Sequence, residues 1–395
     1  MSAEVLYAFM HGQPVGVFRQ SGAEEAEFSY EDSYSGTPLS LSMPLGNLVD
    51  PQVAFSYLDN LLPEDEDARI RLGALVGTAP TTMGLLTRLG EDVAGAVVLS
   101  PTSDLPNRDP APLLLATEDD IAYWVGTLKR DPAAPPPLGI RPRFSLAGQQ
   151  AKFSLVQVGP HWYWSTAEVP STHIFKPAFR QHPGVAEAEN ATLRLADDLG
   201  IRASASSILR FRHEDVFVTQ RWDRTGTRRI HAEDLMQAVG DPWLDKYGLY
   251  ADVAFDLMRR HGLERGYLRQ VLFNIAVGNA DAHAKNTSVL LEGNQVLLSP
   301  LYDSLPIFLW PQFDQRLCVS INGKQTIDNV TEGDWARWAV DAGISPELVM
   351  EEIRDLFPRV SDLLPDALRA AGIGSEGVDR AGKYVAKLRR SLPGR

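Results

Sequence analysis

FNIAVGNADAHAKNTSVLLEGNQVLLSPLYDSLP, running from Phe273 to Pro306, changes character twice along its length. Up to Val277 it completes a helical pattern, with Leu268, Val271, Leu272, Ile275 and Ala276 at i, i+3, i+4 spacing, and Gly278 can take the positive φ that a helix end needs. A polar loop from Asn279 to Asn286 follows. Thr287 to Leu291 and Val296 to Leu298 then read as two β-prone runs joined by Glu292-Gly293-Asn294-Gln295, a hairpin with a glycine in its turn. A hairpin returns the chain to where it began. Asp303, just past the second strand, is therefore expected beside Asp281 and Asn286.

A loop carboxylate, an amide five residues on and a second carboxylate returned by a hairpin are the parts that phosphoryl transfer from a nucleotide requires. One carboxylate accepts the proton of the acceptor hydroxyl, while the amide oxygen and the other carboxylate hold Mg²⁺ on the phosphates. Asp281 is the candidate base, and Asn286 and Asp303 are the candidate metal ligands. Asp281-x-His283-x-x-Asn286 is the more specific half, since kinase-like phosphotransferases place Asp and Asn at this spacing and those acting on small molecules or lipids often add a His. Each residue also has a plain structural reading: Asp281 caps a turn, His283 bonds a buried carbonyl, Lys285 is solvated. It is the set joined by the hairpin that favours phosphotransfer.

A length of 395 residues with 44% hydrophobic and 23% charged residues suits a soluble globular protein of two or three domains. The formal charge of −13 argues against non-specific binding to nucleic acid or anionic membrane, so any DNA contact is expected to need a partner. The single cysteine, Cys318, excludes an intramolecular disulfide and a Cys-rich zinc site. It lies in the β-like run Leu317 to Ile321 and is expected to be a small buried hydrophobe. The opening residues have neither a basic nor an apolar segment of the kind that targets a chain for export, and no window approaches a membrane span. A cytoplasmic location is expected.

Outward from the central stretch, the chain is β-rich first and helix-rich second. Val5 to Phe18 reads as a hairpin turning at His11-Gly12, Gln52 to Leu62 and Asp65 to Leu75 as helices, and Val93 to Leu99 as a buried strand. A proline-rich connector, Pro101 to Pro112, leads to a helix capped by Thr117 with Asp120 three residues on. Arg143 to Leu155 reads as strand, turn, strand, with Ala147 and Gly148 small enough for backbone N–H groups to approach phosphate oxygens. Lys176, in the short strand His173-Ile174-Phe175-Lys176-Pro177, is either a snorkelling edge residue next to Pro177 or a phosphate-binding lysine. Glu189, on a helix from Val185 to Leu199, is the candidate ion-pair partner that a kinase-like fold supplies to such a lysine. Val216 to Trp222 reads as a strand leading into a turn, where a two-lobed phosphotransferase crosses between lobes. Helices are expected over Ala232 to Val239, Leu249 to His261, Glu264 to Val277, Trp335 to Ala342, Pro346 to Phe357 and Lys383 to Arg390.

In this order the motifs resemble one family, the HipA-like serine/threonine kinases, toxins of bacterial toxin–antitoxin pairs. The resemblance is carried by Pro38-Leu39-Ser40-Leu41-Ser42-Met43-Pro44-Leu45, Asp59-Asn60-Leu61-Leu62-Pro63, Val93-Ala94-Gly95-Ala96-Val97, Ser145 to Lys152, HIFKP, Arg221-Trp222-Asp223-Arg224, Asp281 to Asn286 and Leu301-Tyr302-Asp303. It implies an α+β, two-lobed protein-kinase-like fold with an extra β-rich N-terminal subdomain and a helical C-terminal lobe. The expected division is residues 1–105 for that subdomain, 106–224 for the rest of the N-lobe and 225–395 for the catalytic lobe. It implies ATP and Mg²⁺ as cofactors, with Asp281 catalytic and Asn286 and Asp303 on the metal. ATP contacts are implied for Ala147, Gly148, Gln149, Gln150, Ala151, Lys152, Lys176, Gln220, Arg221, Trp222, His283, Lys285, Asn286 and Asp303. Ser145 is implied as an inhibitory autophosphorylation site, whose phosphate would bring about −2 charge against those of ATP. The implied partners are a helix-turn-helix DNA-binding antitoxin and a substrate of the translation machinery such as an aminoacyl-tRNA synthetase. Two other classes fit parts of the pattern: a catalytically weak scaffold that binds the antitoxin as a co-repressor, and a small-molecule or lipid kinase, against which the N-terminal subdomain argues.

Overall fold

The computed structural model describes residues 4–105, 113–131, 134, 151–166, 169–178, 182–242, 246–248 and 251–391. The chain divides into two units of non-contiguous segments: Met1–Pro177 with Leu209–Lys246 and Ser288–Val296, and Ala178–Ile208 with Tyr247–Thr287 and Leu297–Arg395.

In the first unit, one antiparallel sheet runs in the order Glu25–Tyr30, Gln13–Gly22, Val5–Met10, Val97–Ser100. Met10 pairs with Gln13 across the expected hairpin turn, where His11 and Gly12 both take positive φ, matching the twist of the strands. Leu6, Phe18 and Phe28 of this sheet pack with Tyr57 and Leu58 of the helix Pro51–Asp59 and with Met83 and Leu86 of the helix Thr82–Leu89. The strand expected from Val93 forms only over Val97–Ser100. Gly95 breaks it with a φ of +75° and lies so close to another strand that a Cβ there would stand 2.6 Å from the Ala232 carbonyl oxygen.

A second antiparallel sheet runs in the order Leu115–Ala116, His161–Trp164, Phe153–Val158, His173–Pro177, Glu214–Gln220, Ser206–Phe211. The helix Glu118–Arg130 starts at the expected capping box of Thr117 and Asp120. It buries Ile121, Trp124, Val125 and Leu128 against Phe153, Phe175, Val216 and Val218. A three-stranded sheet orders His231–Asp234, Ser288–Glu292 and Gln295–Leu298. Here the expected helix from Ala232 is corrected: Ala232 and Glu233 pair with Leu290 and Val289, and the helix spans only Leu235–Val239. Asp234 caps it by accepting the Gln237 N–H, so it cannot begin earlier.

The second unit is helical. Pro346–Ala370 packs on Val185–Asp198, Glu264–Val277, Glu332–Asp341 and Ser375–Arg390. The sequence pattern ended this helix at Phe357 because Pro358 cannot donate to the helical ladder. The helix continues through Pro358 and Pro365. Its stripe of Ile353, Leu356, Phe357, Val360, Leu364 and Leu368 is fully buried, and that burial outweighs the missing donors. The basic end of Ser375–Arg390 is paired, Lys387 with Asp328 and Arg389 with Asp362. The strand expected around Cys318 is absent; Asn322 and Gly323 turn the chain at positive φ, leaving an isolated bridge between Ile321 and Lys324. Cys318 is half-buried, its thiol on the Ala280 carbonyl at 3.2 Å. No helix among the described residues is long and apolar enough to cross a membrane.

Candidate active site

The helix Glu264–Val277 ends at Gly278, whose φ is +74°. The space a Cβ would need there is filled by Phe308, 2.6 Å away. The next residue, Asn279, is buried and its side chain bonds in three directions. The amide nitrogen donates to the Asn274 side-chain oxygen at 3.0 Å and to the Asp303 carbonyl at 3.2 Å, and the amide oxygen accepts the Asp281 N–H at 3.2 Å. Ser304 donates to the same Asn274 oxygen at 2.7 Å. A single buried amide thus ties the Asp281 loop to the Asp303 segment, the juxtaposition expected from the hairpin. Ile307 N–H on Gly278 O at 3.0 Å extends the same seam.

Within the loop, Asn286 donates its side-chain nitrogen to the Asp281 carbonyl at 2.9 Å, so that bond uses the nitrogen and not Oδ1 of the amide. The short 3₁₀ turn Ala284–Asn286 buries Lys285, whose carbonyl accepts the Tyr302 hydroxyl at 2.8 Å. The Asp281 carboxylate is exposed and accepts the Tyr247 hydroxyl at 2.6 Å. The Tyr247 ring stands edge-on to His283. Asp303 sits at a φ of +56°, a left-handed conformation that Asp adopts more readily than most residues. Asn274, Asn279, Ser304 and Tyr247 are not singled out by the sequence; only Asn279, two residues before the motif, has a local signal.

Lys176 and the residues Ala151, Lys152, Gln220, Arg221 and Trp222 belong to the first unit; Asp281, His283, Lys285, Asn286, Asp303 and Glu189 belong to the second. Lys176 is buried on a strand flanked on both sides, which corrects the edge position inferred from Pro177; Pro177 closes the strand opposite Val216. The Lys176 ammonium lies 5.4 Å from the Phe217 ring centre, where the ring's electron-rich face offsets part of its desolvation. Ala151 and Lys152 are half-buried, and Glu189 is buried on Val185–Asp198. Ser145, Ala147, Gly148, Gln149 and Gln150 lie outside the described residues.

Gln220 is exposed and Trp222 half-buried, but Arg221 is committed to a buried charge network. Its guanidinium donates to Asp223 at 2.9 and 2.8 Å, to Ser171 at 3.0 Å and to the Val93 carbonyl at 3.1 Å. Arg224 bridges Asp223 at 2.8 Å and Asp92 at 3.0 Å, and Arg229 lies 3.1 Å from Asp92. Burial opposes the charge of Asp92, yet Arg229, Arg221 and Arg224 prevail and hold its carboxyl down at about 2. Burial, reinforced by the neighbouring Arg221, pulls Arg224 down to about 10. Charges this deep persist because each is paired; removing one strands the others. The Arg221 N–H is likewise engaged, by the Thr172 carbonyl at 2.8 Å.

Comparison with known proteins places these features in a family. Residues 144–363 match the family model of the HipA-like C-terminal domain, and residues 6–100 match that of the HipA N-terminal domain. Y4mE of Sinorhizobium fredii, provisionally named a kinase, is 30% identical over 93% of both chains. The serine/threonine-protein kinase toxin HipA of Shewanella oneidensis is 25% identical over 85% of this chain and 82% of its own. The solved structure of Shewanella oneidensis HipA with HipB and operator DNA superposes with a TM-score of 0.81 at 23% identity, covering 98% of this chain and 96% of that one. At that identity the superposition establishes a shared fold.

Proposed function

The chain belongs to the HipA-like family, and from that premise we propose that it is an ATP- and Mg²⁺-dependent serine/threonine protein kinase acting as the toxin of a toxin–antitoxin pair. The observation that carries the reading is the Asn279 side chain holding the Asp281 loop against the Asp303 segment, because in-line phosphoryl transfer depends on fixing base and metal ligands relative to each other.

Asp281 orients the acceptor hydroxyl and takes its proton. Asn286 and Asp303 supply hard oxygen donors that suit Mg²⁺. When bound, Mg²⁺ neutralises charge developing on the transferred phosphoryl group. Lys176 serves the phosphates, Glu189 is the proposed supporting carboxylate, and Ala147 to Lys152, Gln220, Trp222, His283 and Lys285 complete the nucleotide contacts, with Arg221 holding the strand end between Gln220 and Trp222. Ser145 is the autophosphorylation site that silences the enzyme.

The partner reading rests on the relatives: one bears the name of a serine/threonine-protein kinase toxin, and the shared fold occurs in a complex with HipB and operator DNA. A helix-turn-helix antitoxin is the partner proposed here, and it contacts DNA on behalf of this acidic chain in the cytoplasm. The substrate class is a translation protein such as an aminoacyl-tRNA synthetase. The test is the intact and peptide mass of purified protein after incubation with Mg-ATP, wild type against Asp281→Asn. Phosphate on wild type, mapped to Ser145 and absent from the variant, supports the reading. No phosphate on either, from unmodified protein that binds ATP, favours a co-repressor scaffold.

A further inference from the structure

We propose that Tyr247 is a positioning residue for the Asp281 carboxylate. The inference rests on the reading of Asp281 as the catalytic base. A general base must present one oxygen along a defined direction, and a short exposed carboxylate rotates freely about Cβ–Cγ unless something holds it. The Tyr247 hydroxyl donates to Asp281 Oδ1 at 2.6 Å, which fixes the carboxylate plane and leaves the second oxygen for an acceptor hydroxyl. The Tyr247 ring is itself 56% exposed, so burial contributes little to its aim.

The ring stands edge-on to His283, two residues from Asp281 on the same loop, which helps aim the hydroxyl.

The experiment combines rate and spectroscopy on the full chain. Tyr247→Phe is expected to lower the autophosphorylation rate at saturating Mg-ATP about tenfold, with half-saturating ATP unchanged within about twofold. In ¹³Cζ-tyrosine spectra, the Tyr247 resonance, identified by its loss in Tyr247→Phe, is expected to shift in Asp281→Asn. A wild-type rate in Tyr247→Phe or a resonance unmoved by Asp281→Asn would each overturn the proposal. If wild type transfers no phosphate while the resonance still shifts in Asp281→Asn, the positioning bond is upheld and the kinase reading fails.

Discussion

Asn279 donates its side-chain amide to the Asp303 backbone carbonyl at 3.2 Å, and through its other end it accepts the N–H of Asp281. The residue is buried and works as a clasp between the two segments that carry the proposed base and metal ligand. Asn279→Ala removes a partner from three partly buried groups, of which the Asn274 oxygen keeps Ser304, and costs roughly 1–3 kcal/mol of stability. Activity is expected to fall further, at least tenfold, because small misplacements of base against metal ligand are amplified in the rate. Autophosphorylation measured well below the variant's melting temperature, beside a urea titration, separates the two losses. Wild-type turnover in a destabilised variant would show that the clasp serves folding alone.

Asp303→Asn tests the metal reading separately. The substitution keeps an oxygen at the same place and removes its charge, so an Mg²⁺ role predicts a rise of about tenfold or more in the Mg²⁺ needed for half-maximal rate. A Mg²⁺ titration of autophosphorylation at fixed ATP checks this, with chelator abolishing activity in both proteins. An unchanged Mg²⁺ requirement would remove Asp303 from the metal site.

What could be read from the chain beforehand was whatever local chemistry signals. Asp281, Asn286 and Asp303 stood out because a hairpin with a recognisable turn lies between them, and Thr117 with Asp120 because capping is a matter of three residues. Asn274, Ser304 and Tyr247 did not stand out, since their roles consist of hydrogen bonds made after the helices and loops have met. The errors share a cause. Pro358 stopped the predicted helix because a local rule was applied where a buried stripe decides, and Ala232 was read as helical because its strand partner Leu290 is distant in sequence. Pro177 suggested an edge strand, yet it ends a central one.

Glu233 makes stability depend on pH. It is fully buried and accepts hydrogen bonds from Ser40 Oγ and the Leu41 N–H. Burial nevertheless dominates and raises its carboxyl from 4.5 to about 8. The folded state therefore holds a proton that the unfolded state has released. The associated stability is present below about pH 4.5 and is lost progressively as pH rises through about 8. Glu233→Gln replaces the carboxyl by a neutral group of similar shape and is expected to flatten that decline by up to a few kcal/mol. Urea unfolding of both proteins at about pH 5.5 and about pH 8.5 checks it. Parallel declines would assign the pH dependence to other groups.

Gly278 joins the helix Glu264–Val277 to the clasp, and the structure gives it two separate reasons to be glycine. Its φ of +74° costs an L-residue about 1–2 kcal/mol. In addition, a Cβ would stand 2.6 Å from Phe308 and 3.0 Å from Tyr384, two rings stacked at 4.7 Å. Gly262 isolates the first reason, since its φ is +71° and nothing lies within 4 Å of its Cβ position. Gly262→Ala is expected to cost about 1–2 kcal/mol and to leave activity unchanged. Gly278→Ala should cost a further ~1–3 kcal/mol from overpacking. The Phe308 ring must also shift, and the preceding residue, Ile307, is bonded to the Gly278 carbonyl at 3.0 Å. Displacement there passes to Asn279 on one side and Asp303 on the other, so Gly278→Ala is expected to lose activity at temperatures where it remains folded. Equal unfolding costs for the two variants would mean that the aromatic pair yields freely and that the clasp is not held from this side.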